Sequence, residues 1–260
     1  MARQSPHINV MIKVAEKAGR ALIRDFGEVE ELQVSRKGPG DFVSAADLKS
    51  EKILKEELLK AYPAYGLLLE EGGEIKGSNA AFRWIIDPLD GTTNFLHGLP
   101  HWCISIALER EGEIIAGVIH DPIKNEIFYA EKGTGAFSGT KRLRVSGRTS
   151  LNDALVIIGD DTFVGIDLPS GCRMRRTGSA CLDLVYVAAG RADAYWENGL
   201  QPWDKAAGGL IVKEAGGNVG ALDGHKSFAH GNGILAANQT IYADLSKRLT
   251  AAQKTAKTAS

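Results

Sequence analysis

The segment Trp84-Ile85-Ile86-Asp87-Pro88-Leu89-Asp90-Gly91-Thr92-Thr93-Asn94-Phe95 ends an apolar strand with two aspartates three residues apart. Pro88 fixes the backbone between them, and Gly91 permits a tight approach. Asp90 is placed to begin a helix, with Gly91 and Thr92 offering unpaired N–H groups. Carboxylates beside such amides suit divalent cations and a phosphate held together. The segment offers oxygen donors only, without His or Cys, which points to Mg²⁺ rather than Zn²⁺. A bare Asp-x-x-Asp would be an Asx turn with an N-cap. The apolar strand, the Pro, the Gly and the Thr pair set this one apart.

Further acids fall at the ends of elements, where active sites gather. Glu70-Glu71 follows the apolar run Gly66–Leu69, and adjacent carboxylates there repel unless solvated or bridged by a cation. Asp204, after Trp203, stands in the first turn of a helix, and Asp47 completes a capping box with Ser44. Each alone is an ordinary structural acid; together they form a candidate site. His97, His101 and His120 lack mutual ligand spacing and read as structural. Cys103, Cys172 and Cys181 show no zinc spacing and read as small buried hydrophobes. Arg173, Arg175 and Arg176 read as a surface or dimer-interface stretch.

The elements that must position these residues follow from the patterning. In 260 residues, 31 Lys+Arg balance 32 Asp+Glu to a net charge of -1, which removes the bulk electrostatic case for nucleic acid or an anionic membrane. The N-terminus lacks a signal-peptide apolar core and no run approaches about 18 apolar residues, so a cytoplasmic protein without a membrane span is expected. Ser5-Pro6 starts a helix that ends at Gly27; a second helix runs from Ser44 to about Ala61. Short apolar runs at Gly66–Leu69, Trp84–Ile86, Cys103–Leu108, Ile114–His120, Ile127–Ala130 and Leu143–Val145, separated by turn signals, predict an antiparallel meander. After Ser150 strands and helices alternate: strands at Leu155–Ile158, Ala192–Trp196, Asn218–Ala221 and Gly233–Ala237, helices at Ser179–Ala189, Trp203–Ala215 and from Gln239. The class is α+β in the first part and α/β in the second.

Leu69-Glu70-Glu71, Trp84–Phe95 and Trp203–Gly217 together resemble the paired signatures of inositol monophosphatases, over nearly the whole chain from Asp41 to Asn238. Within that family the likeness is to the bacterial extragenic-suppressor (SuhB-like) branch. The resemblance implies one domain over residues 1–260, within which the change of pattern sets a soft subdomain boundary near 146–152. It also implies the layered α-β-α-β-α sandwich of sugar phosphatases and a homodimer. The implied reaction is Mg²⁺-dependent hydrolysis of inositol monophosphate by in-line attack of water, inhibited by Li⁺. Glu70, Asp87 and the Leu89 carbonyl would hold one ion, Asp87, Asp90 and Asp204 a second, and Glu70 with waters a third. Asp47 and Thr92, with Glu70, would activate the water. Gly91 and Thr92 amides would bind the phosphate, and Gly178, Ser179, Ala180 and Glu197 would meet the inositol hydroxyls.

Phosphoryl transfer needs positioning and charge neutralisation more than covalent chemistry, which agrees with these roles. No Asp-x-Asp-x-Thr or Cys-x₅-Arg motif supports a phosphoenzyme. The alternatives are fructose-1,6-bisphosphatase or 3′-nucleotide (PAP) phosphatase of the same superfamily, or a SuhB-type partner of RNA polymerase and antitermination factors. The apolar segment Phe95–Trp102 and the arginine stretch are the surfaces a partner subunit would shield. Three departures stand out: Leu69 where the family has Gly, a Gly-rich loop at Lys37-Gly38-Pro39-Gly40 expected to be a floppy flap, and a short stretch between Ile158 and Gly178, where the family has a helix.

Overall fold

The computed structural model of the protein describes residues 4–28, 34–38, 41–159 and 166–259. Helix α1 (Pro6–Phe26) starts as the sequence predicts: the Ser5 hydroxyl accepts from the Ile8 N–H at 3.3 Å, and Pro6 opens the first turn. It also ends at Gly27 as expected, although this cap stays right-handed at φ -69° rather than left-handed. β1 (Val34–Gly38) and β2 (Asp41–Ser44) pair antiparallel and lead into α2 (Ala45–Ala61). The Pro39-Gly40 part of the expected flap lies outside the described residues.

Next come β3 (Tyr65–Leu69), β4 (Gly73–Ile75), β5 (Asn79–Asp90), α3 (Thr92–Leu96), β6 (Cys103–Arg110), β7 (Glu113–Asp121), β8 (Glu126–Glu131), β9 (Gly135–Ser138) and β10 (Lys141–Arg142). Their strands form one sheet of eight in the order β10-β9-β8-β7-β6-β5-β3-β4. From β5 to β10 it is the antiparallel meander that the turn signals predict, while β3 lies parallel to β5. The pattern under-read β5, whose first residues are exposed and carry no apolar run. It also passed over β4, β9 and β10, short strands flanked by turn residues. Leu143–Val145, expected as a strand, is a connector. Its Leu143 N–H donates to Ala136 O at 2.8 Å and its Val145 N–H to Ala215 O at 3.2 Å.

The remaining elements are β11 (Leu155–Ile158), β12 (Arg173–Arg175), α4 (Ala180–Ala188), β13 (Ala194–Glu197), α5 (Pro202–Glu214), β14 (Asn218–Gly220), β15 (Ile234–Ala237) and α6 (Gln239–Ala259). Five strands pair in the order β12-β11-β13-β15-β14. Between β11 and α4 the described residues contain β12 and no helix.

Alternation along the strands builds the layers. Trp84, Ile86, Ile104, Ile106 and Val118 bury against Ile8, Met11, Leu22, Leu54 and Leu58 of α1 and α2. Their sequence neighbours Ile85, Ala107 and Ile119 point the other way, into a core with α4 and α5. The far side of that core is closed by Ile157, Tyr195, Ile234 and Ala236 of the second sheet. The opposite face of the second sheet, with Val156, Ala194, Trp196 and Leu235, packs on Ile241, Leu245 and Leu249 of α6. The result is α-β-α-β-α, with α4 and α5 in the middle layer. No helix among the described residues is long and apolar enough to cross a membrane.

Phe95 and Trp102 are fully buried against Phe26, at ring distances of 5.3 and 5.4 Å. The aromatic part of Phe95–Trp102 is therefore shielded within the chain, leaving Leu99 as its exposed large apolar residue. Arg173, Met174 and Arg175 are exposed on the edge strand β12. Leu69 turns into the core beneath α2, so the bulk at this position is absorbed by packing.

The middle layer depends on a close approach of β7 and α5. A Cβ on Gly117 would lie 2.9 Å from both the Cα and the carbonyl oxygen of Ala207, and backbone cannot yield as a side chain can. Gly117→Ala should cost about 1–3 kcal/mol in denaturant unfolding. The control Gly147→Ala, with nothing within 4 Å of its Cβ, should stay within about 0.5 kcal/mol of wild type. Equal stability of the two variants would contradict this packing.

Candidate active site

Parallel pairing of β3 with β5 sets Leu69 beside Ile86, which brings Glu70 and Asp87 to the same end of the large sheet. The Glu70 N–H continues that ladder to Ile86 O at 3.3 Å. The buried Glu51 of α2 fastens the following turn by accepting the Glu71 N–H at 2.8 Å. The Asp87–Asp90 turn is held from both sides. Asp87 Oδ1 accepts the Leu89 N–H at 3.0 Å, and the buried Ser50 hydroxyl donates to Pro88 O at 2.8 Å. Gly91 then takes φ 90°, and a Cβ there would sit 3.0 Å from His101 O, so glycine is required on both counts. The Thr92 hydroxyl lies between Asp47 Oδ1 at 3.1 Å and Leu89 O at 3.0 Å.

Asp90 is the most heavily tied of these acids. Its Oδ2 accepts from the Ser179 hydroxyl, from the Cys181 N–H at 3.0 Å and from the Cys103 thiol at 3.6 Å. Ser179 also N-caps α4, so one hydroxyl links a helix start to the end of β5. Asp204 enters from α5, where its Oδ2 accepts the Gln201 N–H at 2.6 Å. The chemistry-bearing residues thus come from two sheets and the helix layer between them.

Crowding of like charge dominates the electrostatics. Burial pushes the Asp87 carboxyl well above the ordinary range, and the charges of Glu70, Asp90 and Asp204 add to it. Asp204 is likewise raised by burial and by Asp90 and Glu70, against the opposing pull of the Gln201 amide. Asp90 is raised by burial, in part offset by its Ser179, Cys181 and Cys103 donors. Lys205, next to Asp204 and fully buried, sends its ammonium to the carbonyls of Leu200 and Gly231. A cluster of oxygen donors that hold up one another's proton affinity is a donor set that a divalent cation relieves. Cys103 and Cys181 join Asp90 in a tight group. Burial pushes the Cys103 thiol to about 12 and Cys181 well above its usual value, so neither is a nucleophile near neutrality.

Beside the carboxylates opens a cleft of about 360 Å³, lined by Asp90, Gly91, Thr92, Gly178, Glu197 and Asp204 among others. Gly178 reaches it because the Asn94 side-chain amide donates to Thr177 O at 2.8 Å and Gly178 O at 3.3 Å. Ser179 and Ala180 also line it, but the Ser179 hydroxyl is committed to Asp90. Glu197 is held by the buried Tyr195 hydroxyl, which donates to its Oε2. A second cavity, about 370 Å³, lies at the other end of α5 between Ile114, Lys213 and Phe228. Its acids are paired with donors, Glu214 with the Gly133 and Gly135 N–H groups, Glu113 with Lys132 and Glu111 with Arg110, so it offers no comparable cluster.

The three histidines stay out of the site. His97 bonds to Thr93 O at 2.8 Å, while burial lowers the proton affinity of His101 and His120. Several supporting residues were not singled out from the sequence: Ser50, Asp183, Tyr195, Lys205 and Gly159 beside Glu197. Only Lys205 carried a signal, a charged residue inside the apolar stripe of a helix. The others act through contacts between segments far apart in the chain.

The model of the inositol monophosphatase family matches residues 3–256. Inositol-1-monophosphatase of Mesorhizobium japonicum is 49% identical, over 95% of this chain and 97% of its own length. The protein of Xylella fastidiosa named Nus factor SuhB is 45% identical, over 83% of this chain and 82% of its own. The crystal structure of extragenic suppressor protein suhB from Bartonella henselae superposes with a TM-score of 0.89 at 50% identity, covering 94% of this chain and 98% of that one.

The raised carboxyls carry a sign that can be checked. They keep protons that the unfolded chain has already released, so they weaken the metal-free fold as pH rises from the ordinary carboxylate range toward their raised values. A divalent cation reverses this by favouring the ionised forms. Mg²⁺ added to metal-free protein should therefore release protons in calorimetry. It should also raise Tm more at about pH 7.5 than at about pH 5.5. Equal Tm gains at both would show that the cation binds elsewhere.

Proposed function

The chain belongs to the inositol monophosphatase family, a family of phosphatases, and we propose that it hydrolyses inositol monophosphate to inositol and inorganic phosphate with Mg²⁺ as cofactor. The observation that carries this reading is the convergence of Glu70, Asp87, Asp90 and Asp204 beside a cleft that Glu197 also lines. Glu70, Asp87 and the Leu89 carbonyl would hold one Mg²⁺, Asp87, Asp90 and Asp204 a second, and Glu70 with waters a third. Bound Mg²⁺ would supply Lewis acidity and neutralise the phosphate charge. Around it the chain positions and moves protons. The Thr92 hydroxyl, held toward Asp47, orients the attacking water and hands its proton toward the Asp47 carboxylate, with Glu70 on the same water. The Gly91 and Thr92 amides would receive phosphate oxygens.

Glu197 supplies the specificity in this reading. A carboxylate on the cleft wall accepts hydrogen bonds from vicinal ring hydroxyls and repels a second phosphate. It therefore favours inositol monophosphate over fructose 1,6-bisphosphate or a 3′-phosphonucleotide. With the Ser179 hydroxyl tied to Asp90, the Gly178–Ala180 stretch contributes mainly its backbone. A second role, association with antitermination factors and RNA polymerase, is favoured by the relative named Nus factor SuhB and is compatible with an intact acidic site.

Activity should vanish with EDTA and return with Mg²⁺. Asp90→Asn keeps one carbonyl oxygen that Ser179 and Cys181 can share as they share Oδ2, so it should fold, lose most turnover and demand more Mg²⁺. If it also co-purifies with RNA polymerase as wild type does, the second role is independent of catalysis. Near wild-type kinetics of Asp90→Asn at low Mg²⁺ would sink the ion assignment, and absence of both proteins from the polymerase pull-down would sink the second role.

For Glu197, loss of a charge-assisted hydrogen bond is worth roughly 1.5–3 kcal/mol, about ten- to over a hundredfold. Glu197→Ala should lower kcat/KM for inositol 1-phosphate by that factor and leave p-nitrophenyl phosphate nearly untouched. Glu197→Gln, which keeps an acceptor for Tyr195, controls for damage to the wall. Equal losses on both substrates would mean that Glu197 supports the site's structure instead.

A further inference from the structure

We propose that Asp90, Cys103 and Cys181 form a separate site for a thiophilic divalent ion such as Zn²⁺ or Cd²⁺, whose binding withdraws Asp90 from the oxygen-ligand centre and stops the enzyme. The inhibitory half of this rests on the reading of Asp90 as a Mg²⁺ ligand; the site itself does not.

The three donor atoms all lie within 4.8 Å of one another. Cys103 Sγ is 3.6 Å from Asp90 Oδ2. Metal–sulfur and metal–oxygen bonds of about 2.3 and 2.1 Å at a tetrahedral angle give a sulfur–oxygen edge of about 3.6 Å. The pair is thus already at the spacing of two ligands on one ion. The Asp204 carbonyl oxygen, 3.2 Å from Cys181 Sγ, is placed as a fourth donor.

Donor chemistry separates this group from its neighbours. Glu70, Asp87 and Asp204 offer only oxygen, which suits Mg²⁺, whereas two sulfurs select softer ions. The charge balance also permits it. Two thiols beside one carboxylate carry -1; an ion of charge +2 that displaces both thiol protons to solvent leaves the group at -1. The buried charge is unchanged, so exchanging protons for the ion adds no net charge to the interior. Both cysteines are fully buried and Asp90 is buried as well, yet Asp90 lines the cleft. An ion arriving through the cleft reaches the carboxylate first and the sulfurs behind it. The third cysteine, Cys172, packs on the other side of the second sheet and belongs to a different cluster.

The probe is Cd²⁺ titrated into metal-free protein, read by the ultraviolet thiolate-to-cadmium charge-transfer band. Wild type and Cys172→Ala should show a band that saturates at one ion per chain. Cys103→Ala and Cys181→Ala should lose it, with circular dichroism confirming that each is folded and Cys→Ser versions standing in for any that is not. In the Mg²⁺-supported phosphate-release assay, inhibition by Cd²⁺ or Zn²⁺ should shift at least about tenfold to higher concentration in the Cys103 and Cys181 variants. No band in wild type, a band that survives in the Cys103/Cys181 double variant, or identical inhibition of all variants would overturn the proposal. A band without inhibition, together with full turnover of Asp90→Asn, would remove the Mg²⁺ role of Asp90 and leave the thiol site standing.

Discussion

Four carboxylates held close together in a largely buried place repel one another, and the surrounding structure supplies the force that keeps them there. Glu70 and Asp87 are brought together by a ladder that cannot slip without reversing the faces of β3 and β5. Asp90 is gripped by three donors from β6 and α4. Asp204 is held in the first turn of α5, whose buried face packs against the large sheet. The core therefore holds the geometry against that repulsion.

This explains why the middle helix layer matters most to the site. α4 and α5 are sandwiched between two sheets in one shared core, so neither helix can move without disturbing its packing on both sheets. α4 delivers the Ser179 cap to Asp90, and α5 delivers Asp204. Gly117 of β7 lets strand and helix approach within backbone contact at Ala207, which keeps the helix from sliding. The outer layers, α1 with α2 and α6, contribute mainly burial, save for the support that α2 lends through Asp47, Ser50 and Glu51.

The same crowding divides the site into regions of different chemistry. Toward the cleft, the carboxylates of Asp90 and Asp204 line the open space. Behind Asp90, two protonated thiols and serine hydroxyls form a buried polar backing. Asp90 belongs to both, which makes its orientation the point where the acidic cluster, helix capping and core packing meet. Glu197 comes from the second sheet and lines the same cleft, with its charge adding to the raised proton affinity of Asp204.

Much of this was legible in the residues themselves. The acids, the Pro-Gly turn and the helix starts at Ser5, Ser179 and Trp203, the last one residue inside the observed Pro202 start, are local features, set by covalent geometry and by the hydrogen bonds of adjacent residues. The apolar runs of β5, β6 and β7 marked them as strands, but being buried on both faces they left open which side chain faces which core. Short strands flanked by glycine, such as β9, were read as turns, since their pairing depends on a neighbour rather than on their own pattern. What only the tertiary structure decided is which distant groups share a space. The Ser179 hydroxyl turned to Asp90 rather than the cleft, Phe95 and Trp102 went inside, Tyr195 came to hold Glu197, and two cysteines far apart in sequence met behind one aspartate. Such encounters depend on the packing of whole layers, and a chain read residue by residue carries no signal of them.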